Sequence, residues 1–436
     1  MAVMQTNPAE AMSYVVDRTG VAAALLLVFV LAIMLVLWVR VTENLRLKPL
    51  SKGLAAGFVM LVVFNGVLMV RTHDNFLVSI YKETNNFQAQ YDEFAKQCQK
   101  RQERLSNAIQ LSDRGEDGIF VLVIGESQNR TRMSAYGYGL KTTPWLDSMR
   151  SDPNMLLFDK AYSCHVQTVP ALTYALTAKN QYNDIPLEEA VSLIEVAKAA
   201  GYETVWLSNQ VRYGSWGTPI TVIAEAADQK VWVNSHQGDT LDTDYYDGEL
   251  VSRLDSLKKS GRMLIVVHLM GSHTSYHSRY PAEFEEFRAD GKASEYDNSL
   301  LYNDYVMENM LEKLREWPDF KGLVYFSDHS EGVNYGMGHN HSTFIYDMAY
   351  IPLYMYFTPA WQQTNADKMQ NLRRETNAVF TNDLIFNTLL GVMGISSKAL
   401  DEEQNDLTSA GYDARVERFK TLYGDRSVIE DEKATE

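Results

Sequence analysis

Apolar residues fall along this chain in three patterns, and each predicts a different kind of element. Two long runs come first: residues 20–39 carry no charge before Arg40, and residues 53–70 are interrupted only by Asn65. Each is long enough to cross a bilayer as a helix, which takes about 20 residues. Further on the runs shorten to strand length, at 119–124, 155–161, 204–207, 263–267, 323–326 and 351–357. Bounded by polar or turn residues, such runs predict buried strands. Between them the spacing is helical, at 143–150, 168–177, 187–200, 220–227, 246–258, 298–317 and 383–392. Alternation of this kind predicts an α/β fold, a mostly parallel sheet between helical layers.

The expected organisation is therefore a membrane anchor over 1–75, a connector over 76–117, an α/β domain over 118–400 and an acidic tail over 401–436. The connector is polar, with apolar points at Ile80, Phe87, Tyr91, Phe94 and Leu105. It reads either as an amphipathic helix along the bilayer surface or as a solvated linker helix. The tail is expected to be loosely attached or to form a peripheral helix. Arg40, Arg46, Lys48 and Lys52 lie between the two spans, which predicts a cytoplasmic loop there. Everything after Arg71 is then expected outside the cytoplasm. With two spans the N-terminus is also outside: either the tail 1–19 is translocated, or the chain is a shortened relative of a protein with more helices.

Composition narrows the partners. A net charge of −16, with no basic stripe to offset it, argues against nucleic acid. The two cysteines, Cys98 and Cys164, form either one bridge or two free thiols.

Candidate chemistry collects where three predicted strands end. The run 119–124 leads into Gly125-Glu126-Ser127, the run 263–267 into His268 and then His273, and the run 323–326 into Ser327-Asp328-His329. Carboxyl ends of parallel strands form the rim at which open α/β sheets present their sites. Of the 9 histidines, His268, His273, His277, His329, His339 and His341 all follow just two of these strands. Carboxylate with imidazole is a ligand set for zinc, with manganese or another divalent ion as the alternative. Nucleophile candidates near the rim are Ser127, Ser163, Cys164, Thr168, Ser208 and Ser327. Thr168 precedes Val169-Pro170 at the start of a helical run, where free N–H groups favour an anion. A threonine there is equally an ordinary helix cap.

Several stretches, taken in order and spacing, resemble a known family. They are Val123 to Ser127 (Val-Ile-Gly-Glu-Ser) with Arg130, then Met133-Ser134-Ala135-Tyr136-Gly137-Tyr138 and Thr142-Thr143-Pro144. Ser163-Cys164-His165-Val166-Gln167-Thr168-Val169-Pro170 follows, then His268-Leu269-Met270-Gly271-Ser272-His273 and Phe326-Ser327-Asp328-His329. Over about residues 118–396 the chain is similar to the periplasmic catalytic domain of the phosphoethanolamine transferases, members of the alkaline phosphatase/sulfatase superfamily. The resemblance implies a bacterial inner-membrane enzyme with its catalytic domain in the periplasm. It implies that Glu126, Thr168, Asp328 and His329 hold zinc, with Thr168 as nucleophile. It further implies that His273, and one of His339 and His341, bind the phosphoryl group or a second metal, with His268 a weaker candidate. Counting from His329 favours His341, whereas counting back from Ile351-Pro352 favours His339. Asn209 and Gln210 match an Asn-Gln pair of one subgroup and are expected at the substrate.

The implied reaction moves the head group of phosphatidylethanolamine to an envelope glycan or glycolipid through a covalent phosphothreonine. The alternatives are a phosphoglycerol transferase or phosphodiesterase of the same superfamily, or a non-catalytic lipid- or glycan-binding module. Members acting on lipid A carry a disulfide beside the nucleophile and more transmembrane helices than the two read here. In this chain Cys164 takes the first position of that bridge and Ala171 the second, so the bridge is excluded. Cysteine-poor relatives acting on lipopolysaccharide core sugars or periplasmic glucans are the closer resemblance.

Overall fold

Gly118–Gly125 (β1) is buried at every position and occupies the middle of the sheet that organises the chain. The computed structural model describes residues 92–435, apart from 108, 211–218, 235–244, 258–260 and 290. The two spans expected at 20–39 and 53–70 lie outside the described residues, as does the connector up to 91. No helix among the described residues is long and apolar enough to cross a membrane.

Around β1 lie β2 (Met155–Phe158), β3 (Glu203–Ser208), β4 (Gln229–Trp232), β5 (Arg262–His268), β6 (Phe320–Ser327) and β7 (Leu353–Phe357), in the order 2-7-6-1-5-3-4. β1 pairs parallel with β5 and β6, and β3 pairs parallel with β5 and β4. Only β7 runs against its neighbours, antiparallel to both β6 and β2. The mostly parallel α/β fold is thus present, with one reversed strand near an edge. Side chains alternate between the two faces of each strand. On one face Val121, Val123, Ile265, Val267 and Leu323 pack in one cluster with Val306, Met307, Met310, Leu311 and Leu314. Those last five lie on the longest helix, Gly291–Arg315. On the other face Phe120, Leu122, Ile124, Leu264, Val266 and Phe326 are equally buried.

The helices used below are α1 (Cys98–Asn107), α2 (Pro144–Met149), α3 (Thr168–Ala175), α4 (Leu193–Ala199), α5 (Gly291–Arg315) and α6 (Val428–Thr435). Several depart from the periodicity. The helix expected over 187–200 begins as a separate turn, Leu187–Glu189, and α4 starts only after Ser192 caps it in a capping box with Glu195. The strand expected over 155–161 divides. β2 joins the main sheet, and Lys160–Tyr162 pairs in parallel with Val379–Thr381.

The described part of the connector, from 92, and the segment after 400 are docked on this body. Within the connector, Phe94, Leu105 and Ile109 are buried, and the guanidinium of Arg101 is 1% exposed. Arg101 Nε donates to both carboxylate oxygens of Glu195 at 3.1 Å, so α1 is tied to the first turn of α4. The segment after 400 was expected to be loosely attached or a peripheral helix. It does end in a helix, α6, but Leu407, Phe419, Leu422 and Val428 are buried within the body. Its acids also have partners: Asp431 accepts from the hydroxyls of Tyr162 and Tyr350 at 2.9 and 2.6 Å. Widely spaced apolar anchors among acids escape a reading by composition.

Candidate active site

Three side chains from two adjacent strand ends converge. Glu126 follows β1, and Asp328 and His329 follow β6. Their ligand atoms lie within 4.8 Å of one another, and all three residues are buried. His329 Nε2 stands 3.3 Å from Glu126 Oε1 and 3.4 Å from Asp328 Oδ2. The other imidazole nitrogen, Nδ1, lies 3.1 Å from the carbonyl of Ser330, which orients the ring with Nε2 inward. Asp328 Oδ1 accepts from the N–H groups of Ser127 and His329 at 3.1 and 2.7 Å. Ser127 also donates its hydroxyl to Glu126 Oε1 at 2.8 Å. To do this it adopts a left-handed backbone with φ of 59°, uncommon for a residue with a side chain.

Glycine is required on both sides of Glu126. A Cβ at Gly125 would collide with the Tyr325 ring, and one at Gly271 (φ +54) would lie 2.6 Å from the Glu126 carbonyl. The loop carrying Gly271 is held by Asp247, which accepts from the N–H groups of Met270 and Gly271, both at 2.8 Å.

Thr168 joins the same cluster from α3. It is the first residue of that helix, and Gln167 occupies the cap position. Its hydroxyl lies 3.1 Å from Glu126 Oε2 and 3.3 Å from His329 Nε2. The side chain thus points at the acid–imidazole cluster. It does not cap the helix.

Burial raises the carboxyl groups of both Glu126 and Asp328 above the usual range, and for Asp328 the nearby Glu126 charge adds to it. Burial also lowers the basicity of His329. Asp328 Oδ2 is buried without a hydrogen-bond donor among the described residues. Two carboxylates, a neutral imidazole and an unclaimed buried oxygen fit a divalent ion.

The structure separates the remaining histidines. His339 packs its ring 4.2 Å from that of His329, and its Nδ1 lies 2.9 Å from Glu331 Oε1. Burial alone would lower His339, but the Glu331 carboxylate outweighs it and raises the imidazole to about 9. His341 lies farther out, exposed, stacked on His165 at 5.5 Å. His273 is near enough to be depressed to about 3, chiefly by burial and then by Arg279, His339 and His329. His268 packs edge-on against Trp206 at 6.0 Å and stays outside the metal-type cluster. Asn209 donates to Tyr245 O and Asp247 Oδ1, and Gln210 donates to Leu269 O. Their amide N–H groups therefore fasten loops beside the site. Glu331, His165 and Asp247 were not singled out by pattern. The one available signal was Glu331, an acid two positions past His329 before a Gly-rich stretch.

The sulfatase family pattern matches residues 119–395. The phosphoethanolamine transferase EptC of Escherichia coli is 33% identical over 274 residues, which cover 57% of this chain and 47% of EptC. For the phosphoethanolamine transferase CptA of Salmonella typhimurium the identity is 28% over 304 residues, 64% of this chain and 52% of CptA. The chain spans about half the length of these curated relatives. The crystal structure of the C-terminal periplasmic domain of E. coli EptC, in complex with Zn, has a TM-score of 0.65 at 28% identity. That likeness covers 72% of this chain and 93% of the EptC domain. This chain therefore belongs to the sulfatase family and is homologous to the phosphoethanolamine transferases EptC and CptA.

Proposed function

We propose that the protein transfers phosphoethanolamine from phosphatidylethanolamine to an envelope glycan or glycolipid, with Thr168 as nucleophile. The observation that carries this reading is the Thr168 hydroxyl, set 3.1 Å from Glu126 and 3.3 Å from His329. Sequence likeness to the phosphoethanolamine transferases EptC and CptA supports phosphoethanolamine as the transferred group.

Glu126, Asp328, His329 and Thr168 would hold the divalent ion, zinc first and manganese as the alternative. When bound, such an ion makes a hydroxyl easier to ionise and offsets charge on a phosphoryl group. Thr168 Oγ1 attacks phosphorus, the bond to the diacylglycerol oxygen breaks, and that oxygen takes a proton as diacylglycerol leaves. The phosphoethanolamine now on Thr168 passes to a hydroxyl or phosphate of the acceptor, which restores the threonine. Glu126 Oε2 is placed to hold the Thr168 proton. His339, kept charged by Glu331, faces the non-bridging oxygens and neutralises them as charge builds, and His273, held neutral by burial, offers them a hydrogen bond. A lipid donor accords with an inner-membrane enzyme whose catalytic domain lies in the periplasm.

The test is radiolabelled phosphatidylethanolamine with wild type and Thr168→Ala. Label should accumulate on wild-type protein and not on the variant. Labelled variant would remove Thr168 from this role, and unlabelled wild type with phosphatidylglycerol turnover would favour the phosphoglycerol alternative.

A further inference from the structure

Thr168 enters its helix from an irregular stretch, 163–167, so something must hold that stretch still. We infer that residues 421–423 clamp it, with Tyr423 as a positioning residue for Thr168. The inference rests on Thr168 being the nucleophile proposed above.

The two segments meet residue by residue. Thr421 Oγ1 donates to the carbonyl of Ser163 at 2.7 Å. The N–H of Tyr423 donates to the carbonyl of Cys164 at 3.2 Å. Between them Leu422 shares a buried cluster with Val166 and Met348. The Tyr423 ring lies 5.0 Å from His165 and stacks at 4.2 Å on Tyr174, a residue of α3. One side chain therefore touches both the stretch before Thr168 and the helix that begins with it.

His165 makes this contact consequential. It is 6% exposed, its Nδ1 has no hydrogen-bond partner among the described residues, and its ring packs against those of Tyr423 and His341. The clamp is also bent to fit. Leu422 and Tyr423 take left-handed backbone conformations, φ 52° and 56°, which residues with side chains adopt only where the surroundings impose them. Those surroundings are built: Lys420–Thr421 pairs with Arg426–Ser427, Gln181 Nε2 donates to Lys420 O, and the Tyr346 hydroxyl donates to Ser427 O. A clamp so braced does more than cover the surface. Misplacing a nucleophile by about 1 Å can cost on the order of 100-fold in rate.

The experiment compares full-length wild type, Tyr423→Phe and Tyr423→Ala by two readouts, with Thr421→Val as a milder variant should Tyr423→Ala fail to fold. Amide hydrogen exchange over 163–168 should quicken by about tenfold or more in Tyr423→Ala, with the central strands unchanged. The rate of Thr168 labelling from phosphatidylethanolamine should fall about tenfold or more at unchanged KM, and Tyr423→Phe should restore both. Exchange over 163–168 that stays at the wild-type rate in Tyr423→Ala and Thr421→Val overturns the clamp. So does a Tyr423→Phe variant as impaired as Tyr423→Ala. Wild type that takes no label from phosphatidylethanolamine overturns the transfer reading instead, and exchange still decides the clamp.

Discussion

Thr168 Oγ1 and Glu126 Oε2 lie 3.1 Å apart, although 42 positions separate them in the chain. The distance is a product of topology: β1 ends at the sheet's middle, and α3 begins over that end. A carboxylate held against a hydroxyl can orient it and accept its proton. Glu126→Gln should therefore keep the fold while lowering transfer by roughly 100-fold or more, the scale of a lost acid–base partner. Single-turnover labelling of Thr168 measures this, and a Gln variant at wild-type rate would exclude Glu126 from the chemistry.

Chelating the divalent ion proposed for this cluster should affect stability as well as activity. With Glu126 and Asp328 both buried and both raised above the usual carboxyl range, the cluster is unfavourable without a cation. A ligand present at a hundredfold over its Kd stabilises by about 2.7 kcal/mol. Chelation should thus lower the melting temperature by several degrees and abolish labelling, and zinc should reverse both. Asp328→Asn should melt at one temperature with or without chelator.

Glu331 is expected to act through His339. Its Oε1 lies 2.9 Å from Nδ1 of that ring, which leaves Nε2 as the nitrogen free to turn toward a phosphoryl group. Losing such a supporting carboxylate costs about 10- to 100-fold. Glu331→Gln should lower kcat/KM on that scale. The double variant with His339→Ala should be no worse than His339→Ala alone, because the two side chains work as one unit.

The contrast between Glu126 and Glu331 shows what the linear chain reveals. Glu126, Asp328 and His329 each follow an apolar run, and a run that stops abruptly marks both a strand and its end. Glu331 follows no run, and its pairing depends on a loop fold that returns His339 to it. β4 was missed for a related reason. Gln229–Trp232 is an edge strand with one exposed and three half-buried positions, so no apolar stretch announces it. Spacing alone left His339 and His341 open as well, and it is the fold of the loop that brings His339 rather than His341 against His329. Asn209 and Gln210 were legible as strand-end polar residues. That their amides hold Asp247 and Leu269 depends on contacts across the fold.

Stability should also depend on pH through Asp304. This carboxylate accepts from the N–H groups of Trp145 and Leu146 at 2.7 and 3.1 Å, joining α5 to the start of α2. Burial raises it to about 8, against the pull of those two N–H groups. A group raised on folding contributes stability that is complete below its unfolded value, about 4, and is lost as pH rises through 8. Wild type should therefore lose more stability between pH 5 and pH 9 than Asp304→Asn, by about 1 kcal/mol or more. Urea midpoints at the two pH values give the comparison, and parallel slopes would place the titrating group elsewhere.

Arg101 and Glu195 supply the last test, of whether the connector belongs to the α/β body. Their ion pair is almost fully buried, with side chains 1% and 4% exposed, and Arg101 Nη1 also donates to the carbonyl of Phe94 at 2.6 Å. Removing one partner of a buried pair strands the other's charge, at a cost of about 3–5 kcal/mol. Arg101→Ala should reach that range in urea unfolding, because Glu195 is left buried beside Ser192. Glu195→Gln should cost less, since the amide can still receive Arg101 and keep part of the helix cap. A solvated linker helix would give changes within about 0.5 kcal/mol for both variants, the size typical of surface substitutions.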